Sequence, residues 1–266
     1  MSESPMVMAD NSDPEMQRAY ENARATFRYF WREVAWDRRR FIPALSLACV
    51  KAPFSDGKQG KSADRAPKAE HMWLSEIDFD GEFVSGVLMN SPNWVKTVKK
   101  GDSVRLPPDE ISDWMYAISG VVYGAYTVNL LRARMGERER EEHDGMWGLN
   151  FRDPTEIRLV PGPREGASLK SKFGDEPADA DEHPMSENMA ASLEEHITKN
   201  PSLVTATSDR GWTLLHQEAL AGSAATVKVL LEAGADRDIR THNGKTPLQL
   251  AQSLGWEKVV ALLTSR

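Results

Sequence analysis

At 266 residues, with 40% hydrophobic residues and a formal net charge of -7, the chain is long enough for two ordinary domains and too apolar for wholesale disorder. The acidic balance disfavours gripping a phosphate backbone, which needs clustered Lys and Arg, and it suits a basic protein partner. The single cysteine, Cys49, excludes an intrachain disulfide and a Cys-based zinc site, and no apolar run approaches the roughly 18 residues of a membrane span.

Residues 1–12 read as a disordered tail without a signal-type apolar core, so the expected location is cytoplasmic. Ser12-Asp13-Pro14-Glu15 is a helix start, with a capping side chain, a proline for the first turn and an acid. Met16, Tyr20, Ala23, Phe27, Phe30, Trp31 and Val34 recur at helical steps, so a long helix carries one apolar stripe. Asp37-Arg38-Arg39-Arg40 and Pro43 end it. ALSLACV (44–50) predicts a strand, and FSDGKQGKSADRAPK (54–68) predicts a polar loop.

AEHMWLSEIDFDGEF (69–83) opens a hairpin. His71, Trp73, Ile77 and Phe79 share one parity, and Asp80-Gly81 is a turn signal that places both central residues at positive φ. Phe83, Val87 and Met89 make the return arm. NWVKTVKK (93–100) predicts a short helix closed by Gly101. SVRL (103–106), ISDWMYAIS (111–119) and VVYGAYTVNLL (121–131) predict three more strands, the last two joined through Ser119-Gly120. RARMGEREREEH (132–143) reads as a solvated charged face. Residues 161–186 form an acidic Pro/Gly linker; GDEPADADEHPMSE (174–187) holds six acids and no Lys or Arg.

Beyond the linker the chain repeats itself. Gly211-Trp212-Thr213-Leu214-Leu215-His216 is echoed, 33 residues on, by Gly244-Lys245-Thr246-Pro247-Leu248-Gln249. Each block precedes a pattern of helix, glycine break and helix; Gly234 caps the first such pair. On these residues, 187–266 resembles a short ankyrin-repeat array. Thr213 and Thr246 cap first helices, Pro247 sits where its missing N–H costs nothing, and His216 ties the turn. Leu230, Leu231, Leu262 and Leu263 bury against neighbouring units. SLEEHITKNPSLVTATSDRG (192–211) reads as the second half of a degenerate earlier unit. So short an array is expected to lean on the helix near 187–199 or on the N-terminal domain.

Residues 13–160 make an α+β domain with an antiparallel sheet and a long N-terminal helix. Within them, 23–132 resembles a bacterial family known only as domain of unknown function 2314. The resemblance rests on EHMW (70–73), the Asp-Gly turn, Gly86, Leu88, Asn90, Pro92, Lys100-Gly101-Asp102, ISDWMY (111–116) and YGAYT (123–127). It implies a fold and almost no chemistry.

Catalytic candidates are Glu70, His71 and Asp113, but neighbours on a strand point to opposite faces, so Glu70 and His71 should not meet one substrate atom. The expected role of these groups is a buried polar network. Trp73, Trp94 and Trp114 are core or, if exposed, a partner patch; Trp73 and Trp114 are carried as partner-binding candidates. Cys49 is expected to be a buried, inert thiol. The six His show no zinc spacing and no nucleotide or cofactor motif occurs, so neither metal nor cofactor is expected. In the array, partner-binding candidates are the tips: Asp209, Arg210, Trp212, His242, Asn243 and Lys245. The expected function is non-enzymatic binding of a protein, most concretely a bacterial immunity protein (antitoxin) occluding a cognate toxin. A hydrolase with a pocket in the N-terminal domain and a regulatory ankyrin adaptor are the alternatives. The partner and the oligomeric state are not legible.

Overall fold

The computed structural model describes residues 13–56, 69–161, 182–183 and 185–265. The tail 1–12 lies outside them, as do most of the loop 54–68 and most of the linker 161–186. The chain divides into two compact units, Met1–Gly162 and Pro163–Arg266.

The first unit is built on α1 (Pro14–Asp37). Asp13 caps it, its Oδ1 accepting from Glu15 N at 2.9 Å. The apolar stripe of α1 lies on a six-stranded antiparallel sheet in the order β4-β3-β2-β1-β5-β6. The strands are β1 (Leu45–Phe54), β2 (Glu70–Phe79), β3 (Val84–Leu88), β4 (Ser103–Leu106), β5 (Asp113–Ile118) and β6 (Val121–Gly124). Phe27 and Trp31 meet Phe79 edge-on, with centroids 5.5 and 5.7 Å apart. The Trp114 indole N–H donates to Ala23 O at 2.8 Å, pinning sheet to helix. Because strand neighbours alternate, Cys49 and Met115 face the other side. There, with Trp73, Ala117, Val122, Val128 and Phe151, they form a second core. α2 (Tyr126–Arg134) and α3 (Glu137–Trp147) follow β6.

Five local expectations differ from the structure. In β2 a register shift between Ser75 and Asp78, with Glu76 at φ 53°, inserts a bulge. It returns Ile77 and Phe79 to the helix-facing side used by Leu74, so they do not share a face with Trp73. The hairpin turn is centred on Gly81-Glu82, not Asp80-Gly81. Asp80 N donates to Phe83 O, and only Gly81 (φ 86°) is left-handed. NWVKTVKK is not helical, because carboxylates take its amides. VVYGAYTVNLL is a strand only to Gly124 and then becomes α2. The chain reverses through Gly124 (φ 75°) and Ala125 (φ 58°), and a Cβ at Gly124 would lie 2.4 Å from the Trp114 ring. Nor is every charge in 132–143 solvated. Arg132 is 1% exposed and bonds Asp144 through Nε (2.7 Å) and Nη2 (2.6 Å), tying α2 to α3.

The second unit is helical: α4 (Ser186–Lys199), α5 (Leu214–Ala221), α6 (Ala224–Glu232), α7 (Pro247–Ser253) and α8 (Glu257–Thr264). α5 lies beside α7, while α4, α6 and α8 stack in a second row. α4 thus occupies the second-helix place of a unit that precedes α5, and it supplies a support the short array was expected to need. Leu230 and Leu263 are buried; Leu231 and Leu262 are half-buried. Between α5 and α6 the chain turns at Gly222, φ 72°. Trp256 of the next unit lies over it, its indole N–H donating to Leu220 O at 3.1 Å. A Cβ at Gly222 would sit 2.3 Å from that ring, whereas one at Gly234 (φ 86°) meets nothing within 4 Å.

Replacing Gly222 with Ala therefore combines a left-handed strain with displacement of a buried indole. The expected loss is about 3 kcal/mol, against about 1 kcal/mol for Gly234→Ala. Urea unfolding of the two variants, followed by far-UV circular dichroism, checks the ordering.

Candidate functional site

In the first unit the two candidate carboxylates are committed to backbone amides, whereas His71 is held by a ring stack. Glu70, 4% exposed, accepts from Asn93 N at 2.8 Å, Trp94 N at 3.1 Å and Val95 N at 3.4 Å. Asp113 is wholly buried between β5 and the start of α2. Its Oδ1 accepts from Trp114 N (2.8 Å) and Tyr126 N (2.9 Å), and its Oδ2 from Thr127 N (2.8 Å) and Thr127 Oγ1 (2.5 Å). A carboxylate there meets the open amides and the positive end of a helix. Burial pushes the Asp113 carboxyl up, while Lys51 and the Thr127 and Trp114 donors hold it down.

Lys51, which sequence patterning missed, completes this arrangement. Its Nζ donates to Thr127 Oγ1 at 3.3 Å and lies 5.4 Å from the Trp73 ring centroid. Burial lowers its pKa, and Asp113 opposes that shift. The available signal was a single charge inside the apolar run ALSLACVKAPF. His71 stacks on Tyr20 of α1, with centroids 5.1 Å apart and planes within 15°. Its Nδ1 is buried with no partner among the described residues. Burial first, then the Lys51 charge, lowers its pKa to about 4, so the ring is neutral at pH 7. Burial likewise raises the Cys49 thiol well above its usual range. The structure therefore brings His71, Lys51 and Asp113 into one electrostatic neighbourhood. It sends Glu70 to a separate loop.

Two partner candidates are corrected. Trp114 is 0% exposed and Trp73 is 6% exposed, because one packs under α1 and the other in the second core. Neither presents a surface to a partner. Trp94, in the loop between β3 and β4, is the exposed indole of this unit at 41%.

The array places the other candidates at its hairpin tips. Thr213 and Thr246 each cap a helix in a capping box closed by His216 and Gln249 respectively. Thr213 N donates to His216 Nδ1 at 3.1 Å, so Nε2 carries the proton and donates to Ile239 O at 3.1 Å. One imidazole thereby ties the cap to the following hairpin. Successive tips are joined through backbone, His242 N donating to Arg210 O at 3.0 Å. Gly211 (φ 73°) leaves room for this: a Cβ there would lie 2.7 Å from the His242 ring. Asp209, Arg210, His242 and Asn243 are exposed. Trp212 and Lys245 are half-buried, and the Trp212 ring lies 5.9 Å from that of His216. No helix among the described residues is long and apolar enough to cross a membrane.

An α+β domain followed by stacked helical pairs with rigid, polar tips defines an ankyrin-repeat protein with an N-terminal globular domain. Residues 13–151 match the family described as "Uncharacterized protein conserved in bacteria (DUF2314)", residues 186–266 match the ankyrin-repeat model, and the chain belongs to this DUF2314 family. It is 40% identical to an ankyrin repeat protein of Neisseria meningitidis serogroup B, NMB1133/NMB1171, over 100% of this chain and 99% of that one. It is 32% identical to the uncharacterized Escherichia coli protein YegJ over 93 residues, covering 35% of this chain and 55% of YegJ. Among solved structures, a Bdellovibrio bacteriovorus complex of the predatory endopeptidase Bd0816 with immunity protein Bd3460 aligns at a TM-score of 0.28 and 26% identity. That alignment covers 30% of this chain and 42% of the other.

The His71 environment sets a pH dependence. The folded ring resists protonation down to about pH 4, while the unfolded ring takes a proton near 6.5. Stability held above pH 6.5 is thus lost as pH falls toward 4, with a slope of up to about 1.4 kcal/mol per pH unit from this group. His71→Phe, which keeps a ring on Tyr20, should flatten that part of the profile. Urea unfolding at stepped pH, with variant compared to wild type, tests the difference.

Proposed function

We propose that the protein acts by binding another protein, and that it is an immunity protein: it occupies the surface of a toxin-type partner in the cytoplasm and blocks it. Ankyrin repeats are protein-binding scaffolds, and the observation carrying the proposal is the array's fixed tips. Arg210 and His242 are joined through backbone and held over Gly211, while their side chains stay in water. A backbone held in this way removes the loop-ordering part of the cost of binding. In the first unit, Glu70 and Asp113 are occupied with backbone amides, which supports a structural role for them. The immunity assignment itself rests on the pairing of an ankyrin array with a small α+β domain and on the acidic charge, which steers a basic partner.

Affinity capture with the full chain in the organism that encodes it should recover one stoichiometric partner. That partner should be toxic when expressed alone and harmless when this chain is co-expressed. Truncating the exposed side chains of the joined tips, Arg210→Ala with His242→Ala, should weaken the complex by about tenfold or more while the array stays folded. Recovery of no stoichiometric partner, or a partner harmless by itself, would contradict the proposal.

A further inference from the structure

The loop between β3 and β4 runs through residues 89–102 without helix or strand, yet its backbone is pinned. Glu70 holds the amides of Asn93, Trp94 and Val95. Asp56 accepts from Lys96 N at 2.8 Å and Thr97 N at 2.9 Å, and Asp102 Oδ2 accepts from Lys99 N at 2.9 Å. Three carboxylates thus fix a segment that buries little of its own. Trp94 remains 41% exposed, and Lys96, Lys99 and Lys100 are exposed in the same loop. The ammonium groups of Lys99 and Lys100 form no ion pair among the described residues. Loops that merely connect strands have no need of an indole in water on a backbone held by three acids. An aromatic side chain presented on a rigid frame is the form binding anchors take, since its apolar area is available at small entropic cost.

We infer that Trp94 with Lys96, Lys99 and Lys100 is a docking surface for a protein segment that offers an apolar socket with an acidic rim. The sign of the rim follows from where the charges sit. The carboxylates of Glu70, Asp56 and Asp102 are turned to backbone amides, so a partner at the surface meets the ammonium groups first. Among the described residues the three acids balance the three lysines in number, so no basic surplus for a polyanion is seen there, and the chain's net charge of -7 repels nucleic acid and anionic membrane at longer range. A short acidic segment experiences the nearby lysines without spanning the acidic remainder. This surface extends the protein-binding proposal to the first unit and does not use the ankyrin tips.

The test is a random-peptide display library panned against the immobilised full chain. Enriched peptides should combine Asp or Glu with an aromatic or aliphatic residue. Their affinity should fall about tenfold or more with Trp94→Ala and several-fold with the Lys99→Glu, Lys100→Glu double variant. It should be unchanged by Arg210→Ala with His242→Ala, which separates this surface from the tips. Melting temperature and circular dichroism certify each variant's fold, and the double lysine variant tests the site independently if Trp94→Ala is unstable. A fluorescently labelled oligo-dT strand, followed by anisotropy, and phosphatidylcholine/phosphatidylglycerol vesicles, followed by co-sedimentation, should not bind the full chain. No enrichment, enriched peptides without acids, equal binding to Trp94→Ala, or binding by oligo-dT or vesicles in place of peptide would overturn the inference.

Discussion

The carboxylate of Asp113 is the constraint around which the first unit is organised. It leaves the start of β5, reaches across the sheet's end and takes the first two amides and one hydroxyl of α2. A buried carboxylate has a high cost of desolvation and persists only when its lone pairs are filled. Here four donors fill them, and Lys51 on the adjacent β1 supplies the counter-charge through Thr127. Strand, helix start and second core are therefore fixed by one group. The same economy recurs at Glu70 and Asp56, whose oxygens hold the Trp94 loop. The acids of this domain hold irregular backbone in place.

The array solves a different problem with small residues. Several of its turns pass through left-handed glycines, and at two of them neighbouring units approach where a side chain would block them. At Gly222 the space goes to Trp256, and at Gly211 it goes to His242. His216 converts one helix cap into a bond to the next hairpin. The motif positions that recur at the 33-residue spacing thus serve rigidity. At the tips the side chains of Asp209, Arg210, His242 and Asn243 are exposed.

Much of this was legible in the residue pattern. The apolar stripe of α1, the 33-residue echo and the glycine breaks are local signals, and each reports a local structure. What escaped were effects of distant partners. Nothing near Tyr126 announces a helix; its start is set by Asp113, 13 residues earlier in the chain and adjacent only through the β5–β6 hairpin. NWVKTVKK lies between a Ser-Pro start and a glycine, which are helix-boundary signals, but Glu70 and Asp56 take its amides from afar. The bulge at Glu76 inverted the face of Ile77 and Phe79, a shift that period-two counting does not register. Lys51 and Arg132 look like solvated charges until their partners are seen. At the candidate sites, residue type identified the array's tips, whereas Trp73 and Trp114 needed the packing to show that they are core.

The central claim is that buried acids maintain the fold while exposed surfaces perform the function. It is tested most directly by the affinity of Asp113→Asn for the captured partner, measured where the variant is folded. Asn keeps the shape and one acceptor oxygen but removes the charge opposite Lys51. Affinity within about twofold of wild type, alongside unfolding at lower urea by about 1–3 kcal/mol, is the predicted result. A folded variant of undiminished stability that no longer binds would contradict the account.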